Sequence, residues 1–534
     1  MGRLAARADV SHLRTPVALS SRVTLPLVRG SLVLTFALTL ACGGGKASNR
    51  DAGPPMDDAA LDATVLDAAP FDGDAIGDAD TRADAGRDSG PPGALVAELE
   101  VARVDAFQAV AIPLVEDGVE VGGPRAIVAG RDVLFRVHAI ARAGWTARSV
   151  AAVVTIDGER FVDARTPSLP ADDARPDSVF SIRVPGRAIG PSARFSVRLE
   201  ETSGGGSDVA HARFPRDGST AALGAQTTTP LHLVLVPFRY DTDGSGRLPD
   251  TSEAQLARMR AELTSRFPYA DVTLEVHEVV PWSWSTRFNN NVDWGDVNQT
   301  LIELRDEEGA PEHEYWYGLM SPHGTRGSYC ASTFGGCVTG QSYVATVDGT
   351  RVGSGVGFGD LDTIGTLAHE LGHLHGRFHA PCGTSGTDED YPYADGSIGV
   401  WGWDPRDGAF LDPEDHSDLL GYCEPQWVSD YTWNAMFERQ AEIRAEYTLR
   451  FETPRAHRFV TIGADGTRQS VRRVRRLPGL RLRGVALDAE GLPVARVDVG
   501  KLELAHGGEL VYVFVPPTNA VELVVDGRTI GLVR

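Results

Sequence analysis

The sequence predicts a multidomain chain: an α+β domain with a mixed sheet, a histidine-bearing helix and a loop-rich second half, flanked by two β-sandwich domains. Three observations predict it. Residues 94–228 and the stretch from 448 to 534 are short alternating apolar runs punctuated by Gly and Pro, the pattern of half-buried strands. Residues 229–447 instead mix strand-like runs with helical apolar spacing. Within that middle stretch, residues 361–374 set Leu361, Ile364, Leu367, Ala368 and Leu371 on one apolar face, with His369 and His373 four apart.

The 534 residues exceed a single domain, and a hydrophobic content of 42% is ordinary for globular protein. The net charge of −22 excludes nucleic acid as an expected partner, because phosphate binding needs basic surface. The charge is uneven: residues 51–88 hold eleven Asp against two Arg. Of the five cysteines, Cys42 stands apart and four lie in the central region, an even set that suits two disulfides in an exported protein.

In chain order, residues 1–42 read as an export signal. Arg3, Arg7, Arg14, Arg22 and Arg29 form a basic region ahead of the apolar run 31–41, which is too short to span a bilayer. The run ends at Leu40-Ala41-Cys42-Gly43, which resembles a bacterial lipoprotein cleavage site with Cys42 as the lipidated residue; Thr39 departs from the usual aliphatic. An ordinary signal peptide with an incidental cysteine is the alternative. Membrane attachment through a lipid anchor, in the cell envelope, or secretion follows. Residues 43–93 are Gly, Ala, Asp and Pro, cannot bury a core, and read as a disordered, self-repelling tether.

Residues 94–228 carry strand-like runs at 126–128, 133–138, 151–158, 180–184 and 195–199 and no catalytic cluster. This domain would bind glycan or substrate, cover a cleft as a pro-segment, or act as a spacer. From residue 229 the order is a buried strand at 231–238, a helix at 251–267, a strand at 272–279, a helix at 293–308 and a strand at 314–320. Asp241, Asp243 and Ser245 have the alternating oxygen spacing of a Ca2+ loop. The distal bidentate Glu is missing, so a plain turn capping the next helix is the expected reading. Cys330 and Cys337 lie seven apart around Gly335-Gly336, a feasible small disulfide loop, and 342–347 reads as a strand. Residues 434–447 have helical spacing at Met436, Ile443 and Tyr447. Strands return at 458–462, 494–497, 509–515 and 521–527.

Residues 369–379 read H-E-L-G-H-L-H-G-R-F-H. His369 and His373 point off one helix face, and Gly376 can take the left-handed backbone that turns His379 back beneath them. Three neutral imidazoles with one open position are the pattern of a catalytic Zn2+ site rather than a structural one. Glu370 stands where it can take a proton from an activated water.

This motif resembles that of the metzincin zinc proteases, matched at His369, Glu370, His373, Gly376 and His379. The resemblance spans about residues 229–447. Within that clan, the likeness is to bacterial secreted proteases of the dictomallein kind. It implies a zinc metalloendopeptidase acting on polypeptide or glycoprotein, with Glu370 catalytic and an edge strand within 328–347 lining the cleft. It also implies a tight turn beneath the metal at 418–423. Tyr422 matches the family's tyrosine there, a candidate for stabilising the oxyanion. Leu420 replaces the usual methionine, a volume-conserving change. Cys382, just after the motif, and Cys423, just after the turn, are natural disulfide partners. The rivals are a surface glycan- or protein-binding lipoprotein with a vestigial protease core, a structural zinc site, and a metal hydrolase acting on something other than peptides.

Overall fold

The computed structural model describes residues 86–87 and 92–533, apart from 204, 206–207, 283–290, 312, 333–336, 345–350, 446–454, 464–465, 475–476 and 506–509. The export signal, Cys42 and nearly all of the tether lie outside the described residues, as does Tyr447. Among the described residues no helix is long and apolar enough to cross a membrane.

The architecture is α+β, with many strands and few helices. The first part forms two antiparallel sheets. One runs through Leu99–Phe107, Val133–Ala141 and Phe180–Val184; the other through Val150–Ile156, Glu159–Arg165 and Arg194–Glu201. Asp157 and Gly158, both at positive φ, make the two-residue hairpin that joins two of these strands. The run expected as a strand at 126–128 contributes only an isolated bridge from Val128 to Gln226.

The two sheets share their core with the segments that follow them. Val104, Phe135, Val154 and Phe195 belong to one buried apolar cluster with Leu263, Leu367, Leu371, Leu420 and Trp433. Polar bonds fasten the same contact. Trp427 Nε1 donates to Ala109 O (2.9 Å), Trp433 Nε1 to Ala126 O (2.9 Å), and Arg131 Nη2 to Ser265 O (2.9 Å) at the end of a helix. These bonds satisfy buried donors that would otherwise be stranded. A chain begun at Thr229 is therefore expected to lose its cooperative near-UV signal or to precipitate, whereas one begun at Ala94 keeps it. Circular dichroism and solubility check this.

The middle part is a mixed sheet of six strands. Leu231–Tyr240 is an interior strand, parallel to Val272–Val276 and Val280–Trp282 on one side and to Glu314–Met320 on the other; Glu314–Met320 is parallel to Val352–Val356. The edge strand Gly340–Ser342 runs antiparallel to Val352–Val356. Of the strand expected over 342–347, Ser342 belongs to this strand and Tyr343 makes an isolated bridge, while residues 345–347 lie outside the described residues. Parallel neighbours require crossovers, and α1 (Glu253–Arg266) and α2 (Asn291–Glu307) supply them. The Ser252 side chain accepts from Gln255 N and caps α1. A short α3 (Arg326–Ser332) precedes the edge strand.

The helix α4 (Leu361–Leu374) has the bounds that its spacing predicts, with Asp360 Oδ1 accepting from Thr363 N (2.8 Å) as N-cap. Ile364, Leu367, Ala368 and Leu371 are buried as expected, each large side chain contributing about 1.5–3 kcal/mol. Leu361 is not: at the first position of the helix it is 73% exposed. The last helix, α5 (Asp430–Ala445), follows the loop-rich half.

From Arg455 to Gly531, seven antiparallel strands form one hydrogen-bonded sheet, where two stacked sheets were expected. Its alternation serves two cores. Phe459, Val511 and Val513 face α2 and the middle sheet, while Val460, Tyr512 and Phe514 bury against other strands of the same sheet.

Candidate metal centre

The site is built where α4 ends over the loop-rich half. His369 and His373 leave the same helix face, and Gly376, at φ +83°, reverses the chain so that His379 returns beneath them. All three imidazoles are buried, and one ligand atom from each lies within 4.8 Å of the others. His373 Nε2 is 3.1 Å from His369 Nε2.

The other ring nitrogen of each histidine faces a carbonyl, and a carbonyl only accepts. Nδ1 of His369 donates to Leu419 O (2.7 Å), that of His373 to Arg377 O (2.6 Å), and that of His379 to Ser385 O (3.2 Å). Each Nδ1 therefore carries the proton, and each Nε2 is left as a lone-pair donor aimed at the common centre. These orienting partners are backbone atoms on three loops. No side-chain pattern could have announced them.

A fourth histidine of the same stretch does different work. His375 donates from Nδ1 to Leu371 O (2.7 Å), so its Nε2 accepts from Tyr269 OH (2.6 Å). Its ring stacks on Tyr315 at 4.7 Å. Burial holds its pKa down at about 3, so it is a neutral anchor that pins the end of α4 to the sheet.

Beneath the centre, residues 418–421 make the expected tight turn, and its organiser is Asp418. Its fully buried carboxylate accepts from Leu420 N (2.8 Å) through Oδ1 and from Ser429 N (2.9 Å) through Oδ2, and its carbonyl accepts from Gly421 N (2.8 Å). The next residue, Leu419, supplies the carbonyl that orients His369. Leu420 packs directly on the helix: a Cβ added at Gly372 would lie 2.8 Å from Leu420 Cδ2. The sequence reading singled out neither Asp418 nor Gly372.

Both expected disulfides are formed, Cys330–Cys337 and Cys382–Cys423. The second joins the segment after His379 to the segment after the turn, and Tyr422 N donates to Cys382 O (2.8 Å) beside it. Closing that loop constrains the unfolded chain by about 4 kcal/mol in the chain-entropy view. Cys382→Ser/Cys423→Ser is expected to lose about 2–5 kcal/mol in denaturant titration.

Glu370 is buried at the sheet side of α4. The nearest strand is the edge strand: a Cβ added at Gly340 would lie 2.9 Å from Glu370 Oε1 and 2.7 Å from Thr366 Cγ2. Gly340 thus lets the helix approach the strand. A side chain added there would force the Glu370 carboxylate or the strand to shift. Tyr422 is 48% exposed, its ring 5.6 Å from that of His369 and 5.3 Å from that of His379. Desolvation, and then the charge of Glu370, raise its pKa above the ordinary tyrosine value, so the phenol stays protonated.

At the Asp241–Ser245 loop both carboxylates are engaged by arginines, which gives no support to a Ca2+ site there. Arg239 pairs with Asp241 (2.9 Å) and Arg247 with Asp243 (2.6 Å), while Ser245 and Arg247 draw the Asp243 carboxyl down to about 2. The carboxylates that a cation would need are taken by guanidinium groups.

Residues 294–423 match the family model Peptidase M66. The chain is also 26% identical to dictomallein of Burkholderia mallei (strain SAVP1) over 262 residues, and 27% identical to dictomallein of Burkholderia pseudomallei (strain K96243) over 262 residues. Each match covers 44% of this chain and 34% of the relative, so the chain spans about a third of the length of those curated relatives. The matches support a peptidase, and the family-model match contains the histidine triad, Glu370 and the turn beneath them.

Proposed function

We propose that the chain is an exported zinc-dependent endopeptidase of the metzincin type, which hydrolyses peptide bonds of extracellular proteins or glycoproteins with Glu370 as general base. The observation that carries this reading is the triad itself: three tautomer-fixed imidazoles converging next to a buried glutamate, inside the stretch that matches a peptidase family.

The donor set fits zinc. Three neutral nitrogens with no thiolate among them, leaving a fourth position for water, are a catalytic rather than a structural set. Zn–N bonds of about 2.0–2.1 Å in a tetrahedron put ligand nitrogens roughly 3.3 Å apart, close to the 3.1 Å between His369 and His373. A metal held there supplies Lewis acidity towards the scissile carbonyl and lowers the pKa of water.

The rest is done by the chain. His369, His373 and His379 hold the metal, and the carbonyls of Leu419, Arg377 and Ser385 keep their rings aimed. Glu370 accepts the proton of the attacking water and returns it to the leaving amine. Tyr422, kept as a neutral phenol, donates to the oxygen on which negative charge develops. Tyr422→Phe is expected to lower kcat by about tenfold to a hundredfold with KM little changed, as a donor used in the transition state requires. Steady-state kinetics on a casein peptide checks this.

Export and anchoring belong to the same proposal, with Cys42 as the lipidated residue. Mass spectrometry of the mature N-terminus tests that part: a diacylglyceryl-modified Cys42 supports it, and an unmodified cut elsewhere overturns it.

A further inference from the structure

The edge strand is closed two residues beyond its position beside Glu370. Val356 N donates to Thr339 O (2.8 Å), so residues 339 and 341 turn their backbone groups inward to the neighbouring strand. Residues 338, 340 and 342 then turn theirs outward. At Ser342 the outward position is already filled: Ala505 N donates to Ser342 O (3.0 Å), Val344 N donates to Glu503 O (3.0 Å), and Tyr343 forms an antiparallel bridge with Leu504. Residues 503–505 continue the strand Pro493–Glu503 of the C-terminal sheet. They occupy the lane that any strand added to this edge would follow.

The other end is closed differently. Val338 O accepts from Trp294 Nε1 (3.1 Å) and Tyr329 OH (2.8 Å), which are side chains and not a competing strand. Gly340 lies between, with its N–H and C=O turned outward, at the strand position nearest the Glu370 carboxylate.

We infer that the C-terminal sheet is a built-in stop for the bound polypeptide, confining pairing on one side of the scissile bond to no more than about two residues. This rests on the endopeptidase reading above and adds the shape of its substrate. An extended peptide adds to a sheet edge through backbone hydrogen bonds, and antiparallel pairing is the more stable geometry. A peptide paired that way runs opposite to Gly340–Ser342, so the residues that meet 503–505 are those N-terminal to the bond cut. At about 3.3 Å per residue, two residues separate Gly340 from the stop. Beyond them the substrate must leave the sheet plane, and its third residue before the bond makes no ladder bond.

The test uses the full chain loaded with zinc and synthetic peptides extended outward from one mapped cut in casein. Lengthening the peptide on the N-terminal side from one residue to two is expected to raise kcat/KM about fivefold, as an added backbone bond does. Lengthening it on the N-terminal side beyond two residues is expected to change kcat/KM less than about twofold. Proline at the third residue before the bond, which removes an N–H, is expected to be equally silent. A rise of about tenfold on adding the third and fourth N-terminal residues, or a matching loss with that proline, overturns the stop while leaving the protease intact. A zinc-loaded chain that cuts none of the casein peptides overturns the endopeptidase reading, and the stop with it.

Discussion

Glu370→Gln is expected to lower peptide hydrolysis by about 10²–10⁴-fold while the protein keeps its metal and its fold. The size follows from the role proposed for the residue. Its carboxylate is buried on the sheet side of the histidine helix, one residue from His369 and against the bare backbone of Gly340. The amide fills the same space but cannot take a proton, so the loss falls on kcat. None of the three imidazoles bonds to Glu370 through Nδ1; those bonds go to the carbonyls of Leu419, Arg377 and Ser385. Metal retention should therefore be unaffected. Parallel metal analysis and single-turnover rates separate this outcome from simple loss of the centre.

Asp418→Ala is expected to have the largest effect on the fold of the site. Both carboxylate oxygens are committed to backbone N–H groups, Leu420 and Ser429, in a fully buried place. Removing them strands two donors, each worth about 1–3 kcal/mol. The turn they hold carries Leu419, the partner of His369, and Leu420, which supports Gly372 of the helix. Metal affinity should fall by about 10–100-fold with the stability, the range seen when orienting partners are lost. Asp418→Asn keeps an acceptor and the volume, and is expected to retain more of both. Denaturant titration and competition with a chelator measure the two effects.

Much of the site was legible in the sequence because its signals are local. The spacing of His369, His373, Gly376 and His379 encodes a helix, a left-handed stop and a return, and α4 has the bounds that this implies. The pairing of Cys382 with Cys423 follows from the same return. The parts that escaped are those in which distant segments meet through backbone atoms. Three loop carbonyls aim the imidazoles, and a carbonyl leaves no mark on composition. Asp418 looked like any loop aspartate until both its oxygens were seen to be engaged.

The flanking β segments show the same limit. Alternation revealed their strands, yet it could not say which partner each exposed edge would find. Nothing in the sequence around Trp427 and Trp433 names their partners, and their indole N–H groups fasten the N-terminal sheets through Ala109 and Ala126. Residues 503–505 carry no motif, yet they settle on the edge strand beside the site. Leu361 was misplaced for a simpler reason: helical periodicity assigns a face but not how far along the helix that face is covered.

The measurement that tests the central claim most directly is metal analysis of the purified full chain alongside casein-peptide hydrolysis, before and after chelation. The account predicts one zinc per chain, hydrolysis that disappears with the metal and returns when zinc is restored, and a Glu370→Gln variant that keeps zinc but does not cut. A folded chain that takes up no zinc, or one whose hydrolysis survives both chelation and Glu370→Gln, would contradict it.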